Sequence, residues 1–289
     1  MRIAKYLIPL IILALVVSCS TAQETSQNEL VDIGTHKLYI ACVGSGEPAI
    51  ILDTGIGETF ESWESIIQTL SVETRVCAYH RAGYGESEIG PMPRDSQREA
   101  DELHQLLINA KEDGSIVLVG HSLGALNMQV YADSYPENIK GLVLIDPPPL
   151  AWMQGEGFPE LRELFLKEML ALRQAADAAS ASNDPEKQAS AGFLQSLASE
   201  NEAFFGQTAD RVSKVQSFGK IPVIVIGATQ PEPGFGDFAI AYRQFWNEES
   251  KALAEKSSNG EFILAQESGH HIHLDSSDIV INAITEMIE

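Results

Sequence analysis

The stretch Ser115-Ile116-Val117-Leu118-Val119-Gly120-His121-Ser122-Leu123-Gly124 joins a short, unbroken apolar run to a Gly-x-Ser-x-Gly sequence, and Ala125 to Ser134 behind it carry a helical pattern. A strand that turns sharply into a helix lifts one serine hydroxyl above the sheet edge, the arrangement of a nucleophile elbow. Gly120 and Gly124 suit that turn, because a Cβ at either place would crowd the neighbouring strand and helix. The amino end of the following helix favours the negative charge that develops during acyl transfer. Ser122 is therefore the candidate nucleophile, and the Leu123 N–H behind it a candidate oxyanion donor.

Outward from the elbow, apolar runs and helical patterns alternate. Strands are expected at Leu38–Val43, Ala49–Leu52, Arg75–Tyr79, Ile116–Val119, Gly141–Ile145, Pro222–Ile226 and Glu261–Ala265. Continuous apolar runs of this length suit parallel strands covered on both faces. Helices are expected at Trp63–Leu70, Gln97–Asn109, Ala125–Ser134, Phe238–Lys256 and Ile279–Ile288. The alternation implies a doubly wound sheet. About 75 residues separate the Gly141 and Pro222 strands, far more than a crossover helix needs. They read as a helical cap at about 147–219, with helices at Leu161–Ala179, Ala189–Ala198 and Asn201–Val215. Leu164, Phe165, Met169 and Leu172 share a face of the first, and Trp152, Met153, Phe158 and Phe165 are the expected apolar lining.

A base for Ser122 is expected in the loop after the last strand, Glu267-Ser268-Gly269-His270-His271-Ile272-His273-Leu274-Asp275. His270, directly behind the turn glycine, is the choice among three histidines. His271 and His273, two residues apart, could share a face toward a metal, but no carboxylate partner is evident and no metal is expected. The acid is less direct. After the Pro222 strand the chain reads Gly227-Ala228-Thr229-Gln230, with Glu232 and Asp237 further on. Asp146 is the better candidate. It ends the strand beside the elbow strand, where catalytic groups collect, and Pro147-Pro148-Pro149 fix the backbone behind it. The second oxyanion donor is expected in Asp53-Thr54-Gly55-Ile56-Gly57, with the Ile56 N–H as the choice.

The amino terminus reads as an export signal. Arg2 and Lys5 precede an apolar run from Tyr6 to Val17, too short to span a bilayer comfortably. Val16-Val17-Ser18-Cys19 then has the form of a bacterial lipobox, which makes 1–18 a signal peptide and Cys19 the lipidated residue of an exported, membrane-anchored lipoprotein on the periplasmic or cell-surface side. Residues 19–29 are polar and read as a tether, leaving 30–289 as one domain. The formal net charge of −22 becomes −24 without Arg2 and Lys5. Such a surface repels nucleic acid and anionic headgroups, so small neutral or cationic substrates are expected rather than polyanions, with membrane contact through the lipid anchor alone. Cys42 and Cys77 lie in expected strands, either as buried thiols or as a disulfide.

Together these residues resemble the α/β-hydrolase fold superfamily over Val31 to Glu289. Val119-Gly120-His121-Ser122-Leu123-Gly124 and Ser268-Gly269-His270 carry the likeness. His80-Arg81-Ala82-Gly83-Tyr84-Gly85-Glu86-Ser87 adds to it and is similar to that superfamily's D-R-x-G-x-G-x-S turn, with His80 at the usual Asp. The turn is structural in the family, and His80 is expected to affect only the site mouth. The resemblance implies a mostly parallel eight-stranded sheet with helices on both faces and a cap after strand 6. It implies no organic cofactor and no metal, with Ser122 as nucleophile, Asp146 as acid and His270 as base. A carboxylesterase-like serine hydrolase is the expected activity. Lactonase, peptidase or C–C hydrolase action on the same triad, or a non-catalytic binding lipoprotein on the same fold, are the alternatives. Epoxide hydrolases and dehalogenases of the superfamily generally use Asp as nucleophile, and Ser122 argues against both.

Overall fold

The computed structural model describes residues 26–289; the expected signal peptide, Cys19 and the tether to residue 25 lie outside the described residues. Eight strands form one sheet: β1 (Gln27–Asp32), β2 (Lys37–Val43), β3 (Ala49–Asp53), β4 (Val76–Tyr79), β5 (Ile116–His121), β6 (Ile139–Ile145), β7 (Val223–Ala228) and β8 (Gly260–Ala265). Their order is β1-β2-β4-β3-β5-β6-β7-β8. The β1–β2 and β2–β4 pairs are antiparallel and the remaining pairs parallel. β1 corrects the expected tether, since residues 27–29 already pair with β2 as part of an edge strand. Cys42 and Cys77 face each other across the β2–β4 register and are joined as a disulfide, which decides between the two readings of these cysteines.

Along β3 and β5 the side chains alternate between two cores, as the two-residue period of a strand demands. Ile50, Leu52, Val117 and Val119 pack on one side with Trp63, Ile66 and Ile284. Ala49, Ile51, Ile116 and Leu118 pack on the other with Leu103, Leu107 and Leu126. The helices that cover these faces are α1 (Glu64–Leu70), α2 (Ser96–Ala110), α3 (Leu123–Ser134), α8 (Ala239–Ala254) and α10 (Ser277–Ile288). Covering on both sides is why β3 to β7 read as unbroken apolar runs.

The segment after β6 forms the cap: α4 (Leu150–Met153), α5 (Pro159–Ser180), α6 (Pro185–Ala203), a wider turn over Phe204–Thr208, and α7 (Ala209–Val212). Pro159 and Pro185 open α5 and α6, where a missing N–H costs nothing, and the Asp184 carboxylate accepts the Glu186 N–H as a cap. The buried face of α5 runs through Leu161, Met169 and Ala176, with Phe165 and Leu172 half-buried beside them; of the expected face only Leu164 turns to solvent. After β7 come a tight turn over Pro233–Phe238 and α8; after β8 come α9 (Ile272–Asp275) and α10.

Candidate active site

Ser122 sits between β5 and α3 with φ +52° and ψ −115°, a left-handed backbone that non-glycine residues rarely adopt. The turn is held by the Ser122 N–H on Ile145 O at 3.0 Å and the Gly124 N–H on Thr54 O at 3.1 Å. A Cβ on Gly120 would lie 2.4 Å from the Gly124 carbonyl carbon, and one on Gly124 would lie 2.6 Å from Asp53 O. The two glycines are thus required by backbone packed against backbone.

At the end of β6, Asp146 is fully buried, also with positive φ. His270 Nδ1 donates to Asp146 Oδ2 at 2.7 Å. The other carboxylate oxygen accepts from Arg243 on α8 at 2.7 Å and from the Ala228 N–H at 3.2 Å. Burial would raise the Asp146 pKa. The His270 hydrogen bond, with the Arg243 charge and the Ala228 N–H, outweighs it and holds the carboxyl below its ordinary range. The structure thus brings Asp146 to His270. Glu232 instead lies 3.8 Å from Arg243 on the cavity wall, and Asp237 is exposed. The Ser122 hydroxyl makes no hydrogen bond to His270 among the described residues; the two share the wall of one cavity, a loose apo arrangement common in catalytic sites.

That cavity, about 380 Å³, also presents Ile56 and Leu123. Neither N–H has a hydrogen-bond partner among the described residues, which leaves both free to donate to an oxyanion. The Ile56 loop is held from behind by buried Arg81, which donates to Thr54 O at 2.8 Å and to Gly55 O at 2.9 Å. The same guanidinium pairs with Asp53 at 2.8 Å and with Glu200 on α6 at 3.0 Å, so it ties the loop to the cap. His80 is packed on Phe60 at 4.4 Å and does not line the cavity, contrary to the expected effect on its mouth.

The cap side of the cavity is apolar, built from Trp152, Phe165, Met169, Phe204 and Phe205, with Phe235 of the turn after β7 beside them. Met153 and Phe158 were expected there but lie elsewhere: Met153 in the core and Phe158 against Tyr242. Trp246 of α8 stands edge-on to His270, 5.4 Å between ring centres, with Arg243 4.9 Å over its other side. Tyr242, Arg243 and Trp246 recur at helical spacing on a buried face, a signal for an Arg among core residues that sequence reading passed over.

Glu58 supplies the carboxylate that sequence reading did not find for the histidines. Its oxygens lie 2.9 Å from His271 Nε2 and 3.2 Å from His121 Nδ1, and 4.0 Å from His273 Nε2. Burial works to raise the Glu58 pKa, but the hydrogen bonds of His121 and His271 hold it far below its ordinary range. The Glu58 hydrogen bond raises His271. Burial lowers His121, and brings His273 down to about 2. Four residues past Thr54 in an irregular loop, Glu58 carried no sequence signal of this role.

A family model described as the alpha/beta hydrolase fold matches residues 48–230. The uncharacterized protein YqjL of Bacillus subtilis is 24% identical over 245 residues, covering 84% of this chain and 85% of its own length. Epoxide hydrolase 4 of Mus musculus is 30% identical over 123 residues, covering 40% of this chain but 33% of that protein. Among solved structures, a thermophilic esterase from Thermogutta terrifontis superposes with a TM-score of 0.64 at 22% identity, covering 92% of this chain and 97% of that one.

Proposed function

Because the chain is an enzyme of the α/β-hydrolase fold family, we propose that it is a serine hydrolase cleaving a carboxylic ester of a small or medium, neutral substrate. Ser122 Oγ attacks the ester carbonyl while His270 Nε2 takes its proton. Asp146, on Nδ1, holds the imidazole and stabilises its cation. The Ile56 and Leu123 N–H groups stabilise the tetrahedral oxyanion. Collapse expels the alcohol, which receives the proton from His270, and leaves Ser122 acylated. Water, activated by His270, then releases the carboxylic acid and restores the hydroxyl.

The His270–Asp146 hydrogen bond of 2.7 Å beside the cavity that holds Ser122 is the observation that carries this reading. The apolar cap wall and a volume near the low end of ligand sites fit an uncharged acyl or alcohol group of modest length. Epoxide opening is less well supported, since the elbow carries a serine rather than a carboxylate. The binding-module alternative drew on the lack of an acid after β7; the Asp146–His270 hydrogen bond just beyond β6 favours the hydrolase reading over it.

The test is labelling of the full chain with a fluorophosphonate, the adduct mapped by mass spectrometry. Ser122 should be labelled, with a steep loss of rate in Asp146→Asn and little change in Glu232→Gln or Asp237→Asn. No adduct on folded protein, or a larger loss in Asp237→Asn, overturns it. We also propose that Cys19 is lipidated after export, in keeping with the Cys42–Cys77 disulfide, a bond of oxidising compartments. Cys19→Ser should move the protein from the membrane to the soluble fraction, and unchanged fractionation rejects the anchor.

A further inference from the structure

We propose that Glu58, His121 and His273 form a binding site for one divalent transition-metal ion of the zinc class, in the wall of the catalytic cavity. The three come from separate places: Glu58 from the loop after β3, His121 from the last position of β5, and His273 from α9. Their donor atoms all lie within 4.8 Å of one another.

Hydrogen-bond bookkeeping shows what the cluster lacks. His121 Nε2 lies 3.0 Å from His270 O, and a carbonyl can only accept, so Nε2 carries the ring proton. Nδ1 faces Glu58 Oε2 at 3.2 Å: a neutral ring presents a lone pair to the carboxylate there, and only a doubly protonated ring donates to it. His273 is enclosed, its ring packed 4.5 Å from Trp63, and both of its nitrogens lack a partner. A buried imidazole with neither nitrogen satisfied is costly. Its Nε2 lies 4.0 Å from the same Glu58 oxygen. Two imidazole nitrogens and one carboxylate oxygen thus stand within 4.8 Å of one another.

A metal ion held by His121 Nδ1, His273 Nε2 and the Glu58 carboxylate would leave only His273 Nδ1 without a partner. Two imidazoles and a carboxylate suit zinc, whereas calcium and magnesium take mostly oxygen. The surrounding bonds have the form found around metal ligands: His121 gives its other N–H to a backbone carbonyl, and Glu58 Oε2 also accepts the Gly55 N–H at 3.0 Å. Zinc bonds of about 2.0–2.1 Å set tetrahedral donors about 3.3 Å apart; His121 Nδ1 and Glu58 Oε2 already stand at 3.2 Å, and His273 Nε2, 4.0 Å from Glu58, has to draw in. The Gly55 position permits little else: a Cβ there would lie 2.9 Å from His121 Nδ1 and 3.0 Å from Glu58 Oε2. Bound there, the ion ties together the oxyanion loop through Glu58, the elbow strand through His121 and the His270 loop through His273. Its role is positional, and it takes no part in the acyl transfer.

The experiment uses full, tag-free chain stripped with a chelator, dialysed against zinc chloride and assayed for zinc by mass spectrometry, with thermal unfolding alongside. Wild type should retain one zinc per chain and unfold at a higher temperature with zinc than without. His273→Phe keeps a ring against Trp63 and removes both nitrogens; Glu58→Gln keeps the size and removes the charge. Either should weaken zinc binding more than about tenfold. His104→Phe, on a ring stacked against Tyr135 away from the cluster, should bind zinc as wild type does. Wild type that retains no more zinc than Glu58→Gln, or zinc lost equally in His104→Phe, overturns the site. Because zinc content is read directly, failure here is separate from failure of the proposed esterase activity.

Discussion

Asp146 is one of two charges that α8 and β6 bury together. Its partner Arg243 touches both carboxylate oxygens, at 2.7 and 3.0 Å. A carboxyl whose folded pKa is depressed adds stability above its unfolded value, about 3.8, and loses it as pH falls through the folded value. Replacing Arg243 with Met removes one of the influences that lower Asp146, so its pKa rises. The acid limb of the kcat/KM profile should therefore move to higher pH in Arg243→Met, and an unmoved limb would show that His270 and Ala228 suffice. Asp146→Asn should cost on the order of 10⁴ in kcat with the fold retained, because the imidazole loses its orienting acceptor. Asp146 was legible because a strand end beside the elbow, followed by three prolines, is a place defined by the chain itself. Arg243 was not, because nothing local marks which helix will lie over that strand end.

The same distinction holds for whole elements. β3 to β8, the elbow and the main helices were readable because each carries its own period and its own breakers. β1 was missed: its residues Gln27 to Glu29 are polar, and they become a strand only by pairing with β2 at an exposed edge. Between cap and sheet the decisive contact is ionic, Arg81 against Glu200 and Asp53, with Tyr84 donating to Glu200. Removing one member of a buried pair leaves the other desolvated and unpaired, at a cost of about 3–5 kcal/mol. Glu200→Ala should destabilise by that order in urea unfolding. Arg81→Met combined with it should cost clearly less than the two singles added, because the orphaned charge is then gone as well. Additive losses would mean that Arg81 and Glu200 act independently and that the cap is not latched to the oxyanion loop through them.

At the scale of the molecule, the antiparallel end of the sheet carries the one disulfide among the described residues. The Cys42–Cys77 bond closes a separation of 35 residues. A loop of that size removes enough freedom from the unfolded chain to stabilise the fold by roughly 3–4 kcal/mol. It also pins β2 to β4, and β4 leads into the His80 to Ser87 turn whose Arg81 holds the site loop. Both cysteines are wholly buried, so a reductant reaches them only when the sheet opens. Cys42→Ala/Cys77→Ala should therefore lose about that much stability in equilibrium unfolding. Wild type unfolded and refolded in excess phosphine should fall to the same midpoint, while the double variant should not respond to phosphine at all. An unchanged wild-type midpoint under reduction would show that the strand pairing, not the bond, holds this edge.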